Sequence, residues 1–444
     1  MGIALIAVIA ALEIALAVLT LTKQRESVKW LRNRLLTRAI ETGLVLAVIL
    51  LPFTHFKWRF YGALITLAVL LLIVGLKWLF GRKKATGEKK KSRVVMSAVL
   101  TVLLLLPALV PAFLFTNYNG LETSGAYDVK ECSAVLIDAK RSDPFETDGS
   151  SREVPVHFYY PETEGSFPLV VFSHGAFGYY QSNYSTYAEL ASHGYVVAAL
   201  DHPHHAFFTK DAAGRTILVD MQFMNDALSL GEKSAEESYA LFQTWMELRT
   251  ADMNFVLDTI ESAKSSGMLD AAWHTDESDT VLCVLKMTDT DHIGVMGHSM
   301  GGATAVAMGR TRSDIDAVVV FDGTWLTEIT GLENGKAQYC EEPYPVPVLD
   351  FSKQSDYIEG EMSSDETGFG GVNDYEIGRA VEGKKMIFDQ VEHMDFTDLP
   401  LISPFLAKLL GSGDADKAEF MIRINGITLN WFDHYLKGKD VQAD

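Results

Sequence analysis

The stretch Asp291 to Met308, DHIGVMGHSMGGATAVAM, leaves this chain little freedom in what it can fold into. An apolar, strand-like run (His292 to Met296) passes through Gly297, His298, Ser299, Met300 and Gly301 into a run of small residues with helical character. That order is the strand, sharp turn and helix of a nucleophile elbow, which lifts a serine hydroxyl to the tip of a tight turn. The turn dictates the glycines. Ser299 must hold a strained backbone conformation, and a Cβ two residues to either side of it would collide with the neighbouring strand and helix. Gly302, Ala303 and Ala305 then let the helix pack close to the sheet, with its N-terminal amides facing the hydroxyl.

Strand-like and helical runs alternate around the elbow. Tyr127 to Asp138, Glu153 to Tyr160, Phe167 to Ser173, Tyr195 to Leu200, Ile315 to Phe321, Val346 to Phe351 and Lys385 to Asp389 read as strands, and Tyr184 to His193, Ser234 to Ala263 and Asp414 to Leu436 as helices. Runs such as PLVVFS are continuously apolar, which suits parallel strands covered on both faces, so the pattern predicts an α/β fold with a mainly parallel sheet. Two polar, turn-rich segments, 207–230 and 269–290, exceed that scaffold. They are expected as lid-like insertions beside the strands that carry the site.

A serine hydroxyl is a weak nucleophile until a histidine takes its proton, and the histidine needs an acid to fix its tautomer. His393, in DQVEHMDFTD, follows the last strand and is the best-placed base; His55, His298 and His434 fall in an apolar N-terminal stretch, the elbow and the terminal helix. Two acids qualify. Asp322 ends the strand VVVFD, 23 residues after Ser299, and Asp356 lies in the loop after VPVLDF, one strand later. Both would present a carboxylate at the C-terminal edge of the sheet. An oxyanion hole needs a second amide beside that of Met300, and Ala176, in the turn HGAFGYY after PLVVFS, is the natural donor. The cluster Asp201, His202, His204 and His205 (DHPHH) is expected at the pocket rim and not on a metal, because adjacent side chains on an extended chain point to opposite faces. Cys132, Cys283 and Cys340 show no metal spacing and are read as separate thiols. This chemistry calls for no cofactor and no metal.

Composition divides the chain near residue 117. Residues 1–116 hold 16 Lys and Arg against 4 Asp and Glu, whereas the remainder holds 22 against 54. So acidic a domain repels nucleic acid, which is discarded as a partner. The basic part contains four apolar stretches, Gly2 to Thr22, Ile40 to Phe56, Phe60 to Phe80 and Val94 to Phe115. Each is long enough for about 30 Å of hydrocarbon at 1.5 Å per residue, the second marginally, so four transmembrane helices are expected over 1–116. The first lacks the positive flank of a signal peptide. Basic residues crowd Lys23 to Arg38 and Arg82 to Arg93, which places those loops in the cytoplasm and everything after Phe115 outside, in the plasma membrane of the cell. The bundle is read as an anchor in the lipid bilayer, with Glu13 packed inside it, and residues 117–444 as one extracytoplasmic domain.

FSHGAFG, ALDHPHHA, GHSMGG, VFDGTW and VEHMDFTD occur here in one order. Over residues 150–437 the chain resembles the α/β-hydrolase family of platelet-activating factor acetylhydrolases and related bacterial esterases and lipases. The resemblance implies Ser299 as nucleophile, Asp322 as acid, His393 as base, and Ala176 with Met300 as oxyanion donors. It also implies hydrolysis of short-acyl esters, a small-molecule ester as substrate and no cofactor. The four-helix anchor and the inserted segments depart from the family, so its phospholipid substrate is not carried over. Two competing readings stand beside an ester hydrolase: a serine peptidase or amidase on the same fold, and a catalytically silent binding module.

Overall fold

The computed structural model describes residues 1–22, 26–358, 361–362, 369 and 371–440. They divide into two units, Met1–Asn119 with Leu399–Leu409, and Gly120–Asp398 with Leu410–Asp444.

The first unit packs α1 (Gly2–Thr22), α2 (Ser27–Leu50), α3 (Tyr61–Gly81) and α4 (Lys91–Leu114) around Leu5, Ile9, Val45, Phe60, Leu67 and Leu105. Three stretches, Gly2–Thr22, Lys57–Gly81 and Lys91–Leu114, are long and apolar enough to cross a membrane. α2 differs from the sequence expectation. Its helix starts at Ser27, so most of the predicted basic loop is helical, while Lys23 and Arg25 lie outside the described residues. Nothing in SVKWLRNRLLTRAIE breaks a helix, since Leu and Arg favour it and the first glycine is Gly43. Arg38 turns inward, its Nη1 donating to Glu13 and Glu41 and its Nη2 to Thr101 Oγ1 at 3.3 Å, so Glu13 lies paired inside the bundle. Segment Leu399–Leu409 holds to this unit through Thr116 N–H to the Ile402 carbonyl, 2.9 Å, and Ser403 Oγ to the Leu114 carbonyl, 2.7 Å.

The second unit is built on one sheet. Its strands are β1 (Val129–Ser142), β2 (Ser151–Pro161), β3 (Phe167–Ser173), β4 (Val196–Leu200), β5 (Trp273–His274), β6 (Thr288–His298), β7 (Ala317–Phe321), β8 (Val348–Lys353) and β9 (Gly383–Phe388). They run in the order β9-β8-β7-β6-β3-β4-β2-β1-β5. The six from β9 to β4 are parallel, with Met296 of β6 opposite Phe172 of β3 and Val319 of β7; β2, β1 and β5 are antiparallel additions. Its longer helices are α5 (Tyr184–Ser192), α6 (Met221–Leu228), α7 (Ala235–Ser266), α8 (Ser278–Met287), α9 (Met300–Thr311) and a terminal α10 (Lys417–Lys437). Alternation along β3 sends Leu169 and Val171 into the core shared with α7 and α9, and Phe172 onto Tyr187 of α5, so helices cover both faces. α7 starts at a capping box, Ser234 with Glu237, and stops at Gly267 in the left-handed region.

The two inserted segments part company. After β4, segment 207–230 forms a hairpin (Phe208–Lys210 with Thr216–Leu218) and α6, whose N-terminus is capped by Asp220. Segment 269–290 is not a lid beside the site. It supplies β5, which pairs with edge strand β1, and α8, which leads into the N-terminal end of β6. A connection entering a parallel strand lies at the opposite sheet edge from the strands' C-terminal ends, and the polarity of this segment belongs to the outer face of α8, whose Val281, Val284 and Leu285 are buried.

Candidate active site

Ser299 stands alone between β6 and α9, with φ 55° and ψ −124°. Its N–H donates to the Phe321 carbonyl at 2.9 Å, and its carbonyl accepts from Gly302 N–H at 2.8 Å, which pins the tip of the turn. A Cβ on Gly297 would lie 2.1 Å from the Gly301 oxygen, and one on Gly301 would lie 2.0 Å from the Ser173 oxygen. Backbone cannot yield by so much, so both positions exclude any side chain.

His393 opens a single 3₁₀ turn, His393–Phe396, after β9. Its Nδ1–H donates to Asp322 Oδ2 at 2.6 Å. Asp322 follows β7 directly, with φ 48°; its N–H donates to the Phe351 carbonyl at 2.8 Å and its Oδ1 accepts from Lys353 N–H at 3.3 Å. Burial alone would raise this carboxyl, but the hydrogen bond from His393, the imidazole's charge and that of Lys353 hold it below the usual carboxylate range. Asp356 is elsewhere: its carboxylate pairs with Lys353 Nζ at 2.6 Å and is half exposed. The His393 turn is braced from beneath. Glu392 and Asp395 cap it reciprocally, and Asp395 accepts from Ser412 Oγ and Gly413 N–H, both at 2.6 Å. His298 adds a strut, its Nε2–H donating to the His393 carbonyl at 3.1 Å while the two rings lie 4.5 Å apart. Burial and the neighbouring His393 push the His298 pKa down to about 3, so it is neutral.

The turn after β3 closes on the serine. A Cβ on Gly175 would lie 3.1 Å from Ser299 Cβ and 2.8 Å from His298 Nδ1. Phe177 takes φ 60°, its N–H donating to the His205 carbonyl at 3.1 Å. Neither Ala176 N–H nor Met300 N–H meets an acceptor among the described residues. Two uncommitted amides beside a serine are what a developing oxyanion requires.

The DHPHH cluster is not a pocket rim. Asp201, His202 and His205 are buried, and only His204 is partly open, stacked on Phe145 with ring centroids 4.4 Å apart. Asp201 accepts from Tyr180 N–H at 2.7 Å and Thr209 Oγ1 at 2.6 Å, and burial pushes its pKa up to about 7. His202 donates from Nδ1 to Asp252 at 3.0 Å and accepts from Ser173 Oγ at Nε2, 2.9 Å. These side chains lie under the turn as its foundation because α7 brings Arg249 and Asp252 there, which sequence reasoning passed over. Asp252 also accepts from Arg152 Nη2 at 2.8 Å and Arg141 Nη2 at 2.9 Å; in spite of burial, the charge of Arg152 and the hydrogen bonds from His202 and Arg152 hold it far below the usual carboxylate range. A signal existed: Trp245, Arg249, Asp252, Val256 and Ile260 recur at helical spacing, so both charges sit on the stripe that faces the core.

Residues 149–443 match the model of the family described as platelet-activating factor acetylhydrolase, isoform II. The chain is 29% identical over 150 residues to the platelet-activating factor acetylhydrolase of Canis lupus familiaris and 27% identical over 163 residues to that of Bos taurus, covering 32% of this chain and 32% of the relative in each case. It thus spans about a third of the length of these curated relatives. In three dimensions it is similar to a ferulic acid esterase from Streptomyces cinnamoneus, with a TM-score of 0.50 and 20% identity, covering 72% of this chain and 94% of that one. The likeness shows a common fold, that of the α/β hydrolases. With the family match running through both the elbow and the His393 turn, the chain belongs to the platelet-activating factor acetylhydrolase isoform II family of hydrolases.

Proposed function

We propose that this protein is a membrane-anchored serine hydrolase that cleaves short-acyl carboxylic esters through an acyl-enzyme. Ser299 Oγ attacks the ester carbonyl carbon as the free ring nitrogen of His393 takes its proton, and the carbonyl oxygen becomes an oxyanion held by Ala176 and Met300 N–H. Collapse of this intermediate breaks the C–O bond, and His393 returns the proton to the departing alcohol. Water, deprotonated by the same imidazole, then attacks the acyl carbon and releases the acid and Ser299. Asp322 keeps Nδ1 protonated, so that the other nitrogen is free to accept. The observation that carries this reading is the 2.6 Å hydrogen bond from His393 to Asp322, with the His393 carbonyl bonded to His298, the residue before a strained Ser299, and with the Ala176 and Met300 amides uncommitted among the described residues. No step calls on a cofactor or a metal.

The short-acyl preference rests on the relatives, which are named for removing an acetyl group. Segment 207–230 packs on the oxyanion turn, with Phe207 N–H donating to the Gly178 carbonyl at 2.9 Å and Phe223 against Phe177, and this supports a role at the mouth of the site. Three apolar spans support the anchor. With α2 as a fourth, and the basic residues of α2 and Arg82 to Arg93 on the cytoplasmic side, the hydrolase domain lies outside the cytoplasm.

Fluorophosphonate labelling, followed by a graded series of acyl esters and matched amides, tests the reading. Ser299→Ala is expected to abolish labelling and lower kcat by several orders of magnitude with the fold intact. Turnover retained in the folded variant would end the proposal, and preference for amides would reassign it to a peptidase or amidase.

A further inference from the structure

Arg249 is a fully buried cation at the middle of α7. Its three donors avoid carboxylates: Nη1 donates to the His174 carbonyl at 2.6 Å, Nη2 to the Gly175 carbonyl at 3.3 Å, and Nε to His205 Nδ1 at 3.2 Å. The nearby Asp252 carboxylate is already taken by Arg152, Arg141 and His202. A guanidinium so placed is costly, and burial lowers its pKa to about 9. A buried charge facing neutral partners is a poor device for stability, since an apolar side chain of similar volume would cost less.

The carbonyls it chooses have a specific position. The Gly175 carbonyl belongs to the same planar peptide unit as Ala176 N–H, and in a trans peptide the two bonds point in opposite directions. That oxygen accepts from Arg249 Nη2, from His174 Nδ1 at 2.6 Å and from Gly178 N–H at 3.1 Å. Three donors on the oxygen fix the plane of the peptide and withdraw charge from it, leaving its N–H aimed the other way and more acidic. The tautomers agree with this arrangement: His174 donates from Nδ1, so its Nε2 accepts from His202 N–H at 3.1 Å, and neutral His205 offers Nδ1 as an acceptor.

We propose that Arg249 is a positioning residue for ester cleavage, loading the carbonyl of the peptide unit that supplies Ala176 N–H so that this amide is aimed and polarised for the oxyanion. The inference rests on the serine-hydrolase reading above and adds to it the origin of the oxyanion hole's preorganisation. It acts on the transition state and leaves ground-state binding alone.

The test uses the full-length protein, with Arg249→Met and Arg249→Lys measured against Ser299→Ala. On p-nitrophenyl acetate, Arg249→Met is expected to lose kcat about 100-fold, the scale of one oxyanion donor, with KM within about threefold. Affinity for a trifluoromethyl ketone, which forms a tetrahedral adduct with the serine, should fall in parallel with kcat/KM. Arg249→Lys keeps the charge but cannot span two carbonyls and His205, and is expected to lose about tenfold in both readouts. A folded Arg249→Met enzyme with parental kcat, or one with lowered kcat and parental ketone affinity, overturns the proposal. Should the Met variant fail to fold, the Lys variant decides alone, and parental values there overturn it. Activity surviving in Ser299→Ala would instead strike the underlying serine-hydrolase reading, so the two failures are distinguishable.

Discussion

The two ends of the parallel strands hold different kinds of backbone. Among the described residues, Phe177, His204, Ser299, Asp322 and Gln390 all take positive φ, and they follow the C-terminal ends of β3, β4, β6, β7 and β9. At the other end the left-handed turn before β4 is a glycine, Gly194, which adopts φ 84° without strain. Left-handed backbone in a residue with a Cβ costs of order 1–3 kcal/mol and persists only where its surroundings over-determine it. Here Ser299 and Asp322 are each held by a hydrogen bond to the neighbouring strand, at 2.9 Å and 2.8 Å. The fold thus concentrates its strained positions where the proposed chemistry lies and leaves the opposite edge to ordinary packing.

If that contrast is functional, substitutions at the two ends should separate turnover from stability. The largest effect is expected at the acid. Asp322→Asn puts the wrong tautomer on His393 and should cost about 10⁴ in kcat, whereas Asp356→Asn, which removes only the pair with Lys353, should cost tenfold or less. Comparable losses in the two variants on one activated ester would break the contrast at its centre. Next comes Gly175→Ala. Its Cβ would press on Ser299 and His298, and the displaced turn should lower kcat by about 10² while far-ultraviolet dichroism is unchanged. Away from the site, on the lateral edge strand β5, Trp273→Ala empties a buried position packed on Phe158, with ring centroids 6.3 Å apart. It should destabilise by about 3–5 kcal/mol in urea titration, yet the folded enzyme should keep turnover within about twofold.

The smallest effect is a pH slope. Asp350 is buried beneath the Asp322 turn, accepting from Trp325 Nε1 at 3.1 Å and Asn373 Nδ2 at 2.8 Å, and burial pushes its pKa up to about 7. Between the ordinary carboxyl range and about pH 7 the folded state holds a proton that the unfolded chain has lost. Stability therefore falls as pH rises through that window, by about 1.4 kcal/mol per unit from this group, and levels off above it. Asp350→Asn keeps the acceptor and removes the proton, so its stability should decline less steeply from pH 5 to 7. Asp201 and Asp398, raised to about 7 and about 6, keep part of the slope in place. Parallel curves for parent and variant would show that Asp350 does not carry it.

The same contrast explains what the sequence disclosed. Ser299, His393 and the Ala176 turn were legible because each sits in a local pattern whose backbone has one solution, a glycine-flanked tip or a loop directly after a strand. The choice between Asp322 and Asp356 was not, since both follow strands and only the packing of β7 against β8 decides which carboxylate reaches the imidazole. The burial of the DHPHH histidines is not legible locally, because it depends on partners far along the chain, Asp252 and Arg249. Segment 269–290 looked like its counterpart at 207–230 in composition. They diverge because one leaves a parallel strand and the other enters one, a distinction of topology that polarity does not encode. In the bundle, the basic residues Lys29, Arg32, Arg34 and Arg38 lie in a helix whose Arg38 answers two carboxylates inside, a placement that charge alone does not signal.

The strained serine at the C-terminal edge is expected to become acylated by substrate. Rapid acid quench of the full-length protein with p-nitrophenyl acetate, followed by peptide mass analysis, reads this directly. A pre-steady-state burst of p-nitrophenol and a single acetyl mass on the peptide containing Ser299, absent in Ser299→Ala, are expected. Steady turnover with no burst and no acetylated peptide, or acetyl carried on a different residue while Ser299→Ala turns over normally, would contradict it.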